Sequence, residues 1–252
     1  MRRAGFDLAS ASDRAPRPQE IAAYVELHIE QGPWLEAEDV PIGVVERIVG
    51  IRRFRLTFVG QPDHAGTTPM DRRKDAFLTA AEYATKSREL VVRSGEGRAV
   101  TTIGVVEVRP GVPNIVPERA TLLQELRDVR SCASRAAGEP HPPGRSASRA
   151  RQRGLVLEVE HLMRADPVRM SPRIQATIET TARELGLRDP AHARPAPATT
   201  REVLAAVTDA GMIFVPSQGG RSHRPDEWTG LARRSSVART CCLGTLLHLE
   251  LA

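Results

Sequence analysis

Three histidines sit where a side chain can meet a ligand. His28 lies in Tyr24-Val-Glu-Leu-His28-Ile-Glu-Gln-Gly-Pro33. Residues alternate there, so Tyr24, Glu26 and His28 point one way and Val25, Leu27 and Ile29 the other, as in a strand. Gly32-Pro33 cannot continue a ladder. His28, Glu30 and Gln31 therefore fall at a strand end, where open α/β sheets place ligands. His64 lies in the aperiodic loop Gln61-Pro-Asp-His64-Ala-Gly-Thr-Thr-Pro69-Met70, and His223 follows Gly219-Gly220 in the loop from Ser217 to Thr229. Plain readings stay open. His28 could serve packing, His64 the loop surface, and His223 a mobile loop. Asn114, after Pro113, could be a turn residue, and Arg127 a solvated charge on a strand.

The elements that must position these residues follow in order. Residues 1–20 read as an entering loop. Arg53, Arg55 and Thr57 alternate with Phe54, Leu56 and Phe58, a half-buried strand ending at Gly60. Ala76, Phe77, Ala80, Ala81 and Ala84 stand at helical spacing, which predicts a helix from about 70 to 93 with Pro69 in its first turn. Thr101 to Val108 and Asn114 to Arg127 read as strands, as does Leu155 to His161. Strand, helix, strand, strand, strand is most of a ferredoxin-like βαββαβ unit. Its second helix is missing: residues 129–150 hold Pro140, Pro142 and Pro143 and almost no large aliphatic residue. A sheet face left bare at roughly 25 cal/mol per Å² loses several kcal/mol, so this unit is expected to be marginal. Ile174, Ile178, Thr181, Ala182 and Leu185 predict an amphipathic helix closed by Gly186, and Ala210 to Pro216 a buried strand. Pattern is lost over 230–242 and returns over Leu243 to Leu251.

Composition narrows the class. The 252 residues are 40% hydrophobic and only 4% aromatic, so any core is aliphatic. The net charge of +5 is modest. Basic residues cluster at Arg145 to Arg153 without aromatics for stacking, which excludes a nucleic-acid face. No apolar run suits a membrane span or a signal peptide. Cys132, Cys241 and Cys242 have no metal or disulfide spacing, so the expected compartment is the cytoplasm.

The strings HIEQGP, VGIRRFRLTFVGQPDHAGTTPMDRRKDA, PNIVPERATL, LRD and GMIFVPSQGGRSHRPDEWT resemble the N-carbamoyl-L-amino-acid hydrolase / allantoate amidohydrolase (hydantoinase/carbamoylase) family of zinc-dependent amidases. The resemblance covers roughly residues 20–128 and 153–229. It implies an α/β zinc-aminopeptidase-like catalytic domain that holds two divalent metals, Zn or Mn. An inserted ferredoxin-like α+β lid would make a homodimer and close on a small ureido or carbamoyl acid. The implied domains are 1–44 and 163–252 for the catalytic part and 45–162 for the lid. On that pattern His28 resembles a ligand of one metal and His223 a ligand of the other. His64 resembles the lid histidine that polarises the scissile carbonyl across the dimer interface. Asn114 and Arg127 resemble the residues that grip the substrate carboxylate, and Gln31 lines the pocket. The residue types suit the roles. Neutral imidazole ligates zinc-class ions, a metal-bound water is a nucleophile near neutral pH, and an Arg fork reads a carboxylate in two bonds.

The resemblance also implies a further third of chain carrying a His, a bridging Asp and a Glu-Glu pair that includes the general base. No His-x-Asp and no Glu-Glu occurs in this sequence. The expectation is a fragment that binds metal weakly and hydrolyses nothing. Alternatives are a non-catalytic dimerising lid module, or one half of a split enzyme completed by a separate N-terminal chain. Residues 129–150, 194–201 and 230–242 read as out-of-frame passages. One legal codon spelling of Arg194 to Arg201 yields the family's Ser-Gly-Ala-Gly-His-Asp-Ala when read one frame away.

Overall fold

The structure, a computed structural model, describes residues 21–94, 99–129, 154–187, 191–193, 204–205, 207–229 and 234–250. In chain order the elements are β1 (Tyr24–Ile29), α1 (Trp34–Ala37), β2 (Gly43–Val45), β3 (Arg47–Ile48), β4 (Gly50–Val59), a 3₁₀ turn (Met70–Arg72), α2 (Ala76–Ser94), β5 (Val100–Arg109), β6 (Arg119–Asp128), β7 (Val156–Ala165), β8 (Val168–Arg169), α3 (Pro172–Glu184), β9 (Ala191–Ala193), β10 (Ala210–Val215), a second 3₁₀ turn (Gln218–Gly220) and α4 (Arg234–Glu250). The fold class is α/β. The chain divides into two compact units: Val49–Pro167, and the segments on either side of it, Met1–Ile48 with Val168–Ala252.

The outer unit is built on a four-stranded sheet in the order β1-β10-β2-β9. β1 and β10 run parallel, with His28 opposite Phe214. Every residue of β10 is buried, as expected for a strand covered on both faces. Ile213 and Val215 pack with Ile174, Ile178, Ala238 and Cys241 of α3 and α4. Ala210, Met212 and Phe214 pack on the other side with Leu35, Val45 and Met170. Gly211 is required by closeness: a Cβ there would lie 2.2 Å from Ile174 Cγ2.

Helix α4 corrects one expectation, the loss of pattern over 230–242. Its buried face is small: Ala238, Cys241 and Thr245 are fully buried, and a Cβ on Gly244 would lie 2.6 Å from Thr181 Cγ2 on α3. Cys241 Sγ approaches the Ile178 carbonyl at 3.9 Å. Small residues let two helices approach closely, but they carry little hydrophobic periodicity for a reader to find.

The inner unit is an antiparallel sheet in the order β5-β6-β4-β7. Its strands are ten residues long. Phe54, Leu56, Phe58, Ala120, Leu122 and Leu155 pack against Ala76, Ala80 and Tyr83 of α2. Inside this core Tyr83 O–H donates to Gln124, whose Nε2 donates to Ser87 Oγ at 2.6 Å and Thr101 Oγ1 at 2.8 Å. That network satisfies a buried amide and ties α2 to β5 and β6. Burial, the largest cause, raises the Tyr83 phenol above its ordinary value.

Two element starts in the inner unit differ by several residues from the sequence reading. The helix expected from 70 begins at Ala76, because Arg73 is bound to the Thr68 and Ala65 carbonyls and the Lys74 carbonyl accepts from Gln61 N. Asp75 then accepts from Leu78 N at 2.9 Å and starts the helix. The strand expected from Asn114 begins at Arg119, since Pro113 and Pro117 lack the N–H a ladder needs. Residues 130–153, where no second helix was expected, and 194–203 lie outside the described residues.

Candidate functional site

In the outer unit the β1 and β10 ends run on into two interlocked loops. Glu30 N donates to the Val215 carbonyl at 2.8 Å, extending the pairing one residue past β1. Gln31 then turns with φ +57, and its N–H donates to the buried Ser217 Oγ at 3.0 Å. Glu36 accepts from Gly219 N at 2.6 Å. Gly220 (φ +65) lies so close to Pro33 that a Cβ would stand 2.8 Å from its ring. Glu30 is spent on structure: its carboxylate accepts from Leu35 N at 2.9 Å.

His28 stands beside Phe214, with ring centroids 6.2 Å apart. Its Nδ1 lies 2.5 Å from the Ile29 carbonyl oxygen. A carbonyl only accepts, so Nδ1 carries the proton and Nε2 keeps a lone pair, the tautomer a metal ligand needs. His223 sits in the left-handed region, φ +58. Its N–H donates to Glu227 Oε2 at 3.0 Å. Gln218 N donating to the Trp228 carbonyl and Thr229 Oγ1 donating to the Pro216 carbonyl close the loop.

These donors do not complete a dinuclear centre. A catalytic zinc takes about three protein ligands. Among the described residues no three His, Cys, Asp or Glu side chains are grouped to hold an ion.

In the inner unit His64 is bridged to Ile115. Ala65 N donates to the Asn114 carbonyl, and Val116 N donates to the Asp63 carbonyl. His64 Nδ1 accepts from Gly66 N at 3.0 Å. The proton therefore belongs on Nε2, the tautomer of a hydrogen-bond donor and the reverse of His28. Arg127 stands near the other end of the sheet, opposite Ile51 on β4, whereas the His64 loop follows Val59, opposite Arg119. Eight residues at ~3.4 Å each separate Arg119 from Arg127. His64 and Asn114 are thus brought together, while Arg127 is about 27 Å away along β6. Arg127 Nε donates to Glu125 Oε1 at 2.8 Å. Arg53 donates to the other oxygen through Nη2 at 2.5 Å and Nε at 3.2 Å. Burial works to raise the Glu125 carboxyl, but the two guanidinium groups outweigh it and hold the group below the ordinary range.

A family model described as "Peptidase family M20/M25/M40" matches residues 7–240. The chain belongs to this family. Curated relatives sharpen the placement. The chain is 37% identical over 222 residues to an N-carbamoyl-L-amino-acid amidohydrolase of Paenarthrobacter aurescens, covering 83% of this chain and 50% of the relative. It is 33% identical over 246 residues to the allantoate amidohydrolase of Escherichia coli, covering 96% and 58%. Among solved structures, a hydantoinase/carbamoylase family amidase from Burkholderia multivorans superposes with TM-score 0.75 at 32% identity, covering 91% of this chain and 54% of that one. The chain spans about half the length of the relatives it matches. Among the described residues no helix is long and apolar enough to cross a membrane.

Sequence reasoning missed Arg53, Glu125 and Glu227. They carried ordinary surface signatures, and only register and loop closure give them partners.

Proposed function

We propose that this chain carries part of a metal-dependent amidohydrolase that cleaves the linear amide or ureido C–N bond of N-carbamoyl-L-amino acids or allantoate. The observation that carries this reading is the opposite bonding of the two imidazoles, His28 Nδ1 against the Ile29 carbonyl and His64 Nδ1 against the Gly66 N–H. His28 offers a lone pair at Nε2, as a ligand of one of two divalent ions, zinc or manganese, must. His64 offers an Nε2–H, as a group that polarises a carbonyl oxygen must. His223 would serve the second ion. Gln31 would line the pocket, and Arg127 would take the substrate carboxylate with the free edge of its guanidinium.

The separation of His64 and Asn114 from Arg127 supports a site shared between two copies, and so a homodimer through Val49–Pro167. One small acid does not span about 27 Å of β6. Ammonia release from N-carbamoyl amino acids and from allantoate tests the reading. With one imidazole per ion, the chain by itself is expected to release none, with or without added zinc or manganese. Mixing with a polypeptide that supplies the remaining ligands and the general base should restore turnover. Failure of every such mixture, with both parts folded, would contradict it.

A further inference from the structure

We propose that Glu125 is the positioning residue for Arg127, aiming the free edge of its guanidinium as a receptor for a substrate carboxylate. The inference rests on the reading of Arg127 as the carboxylate grip. Glu125 and Arg127 are two residues apart on β6, so they share a face. Gln124 and Leu126, on either side of Glu125, are buried on the side of α2. The shared face is therefore the one opposite α2. Arg53 lies directly across from Glu125 on β4. Arg53 and Arg127 are then diagonal neighbours, at a spacing of about 7–8 Å where two like charges repel.

Glu125 resolves that repulsion by giving one oxygen to each. Its Oε1 takes Arg127 Nε at 2.8 Å, and its Oε2 takes Arg53. Binding Arg127 through Nε fixes the plane of the guanidinium and leaves the Nη1/Nη2 edge for a second carboxylate in the bidentate mode. Both oxygens are engaged, so the carboxylate cannot rotate away with one partner. The trio keeps a net charge of +1, which matches the single charge of a carbamoyl or ureido monoacid. A carboxylate at this position is also well suited to selectivity. It would repel an acid whose second charge reached back toward β4.

The test uses the full 252-residue chain and two readouts. The first is the Arg127 Nε–H resonance by NMR. It should be a distinct, slowly exchanging signal, and in Glu125→Gln it should join the fast-exchanging arginines. An Arg127 Nε–H that already exchanges fast in the wild type overturns the proposal. The second is titration with N-carbamoylglycine. Arg127→Ala should abolish saturable binding. Glu125→Gln, which keeps an acceptor but loses the charge, should weaken it about tenfold. Arg55→Ala, which breaks only the pair with Glu160 on the same sheet, should leave it unchanged. Glu125→Gln binding as tightly as wild type, while Arg127→Ala does not bind, overturns the positioning role and spares the grip. Wild-type affinity in Arg127→Ala, or no saturable binding by the wild type, overturns the grip and with it the purpose of the tether.

Discussion

The inner and outer units order their residues in different ways. In the inner unit each strand pairs with β4 or with β6, and its polar groups are matched across strands, Arg53 with Glu125 and Arg55 with Glu160, or to the residue just past β7, Arg52 with Asp166. In the outer unit the edge strand β1 pairs with β10 from the opposite end of the sequence, and the site is held by backbone groups meeting at loop tips. His28 is fixed by a carbonyl, His223 by a carboxylate on its own N–H, and Gln31 by a serine hydroxyl. The difference teaches how one chain can present histidines in opposite states. A strand-end imidazole facing a carbonyl becomes a lone-pair donor, and a loop imidazole facing an amide becomes a proton donor.

The largest effect that would break this comparison is loss of the inner core alone. Phe58 is fully buried, so Phe58→Ala should cost about 3–5 kcal/mol. Hydrogen exchange should then collapse across Val49–Pro167 while β1 and β10 amides stay protected. Uniform loss in both units would mean they do not fold separately. Next comes Gly211→Val, which forces branched carbons into Ile174 and should cost about 1–3 kcal/mol or more. Protection in β10 and α3 should fall, with the inner sheet unaffected.

Acid gives a smaller effect. The Glu125 carboxyl is held down in the folded chain, so the stability it contributes is present above its unfolded pKa and is lost as pH falls through the lowered folded value. Urea midpoints of wild type and Glu125→Gln should differ near neutral pH and converge in strong acid. A constant difference would deny the charge a role. Smallest in energy is a chemical probe of α4. Burial, the largest cause, pushes the Cys241 thiol up to about 11. Cys241 should therefore alkylate far more slowly than an exposed thiol at neutral pH, and fast labelling would show α4 undocked from α3.

The sequence exposed those features that rest on period and punctuation. The alternation from Arg53 to Phe58 and the turn at Gly32-Pro33 both appear where expected, and helix α3 ends at Gly186 with φ +70. Features that depend on neighbours distant in sequence were not legible. Helix α2 starts late because Arg73 and Lys74 are tied to a loop. Its buried face runs through Tyr83, Ser87 and Val91 while Phe77 stays 40% exposed, since a polar network and not apolar bulk sets its rotation. Helix α4 hid behind alanine, cysteine and glycine. The roles of Glu125 and Glu227 needed strand register and loop closure, which no spacing within one element encodes.

The most direct measurement of the central claim is metal stoichiometry and affinity. Competition between this 252-residue chain and a chromophoric chelator for zinc and for manganese reads both. The account predicts weak, substoichiometric binding, reduced further by His28→Ala and by His223→Ala separately. Two tightly held ions per chain, surviving dialysis against the chelator, would contradict it.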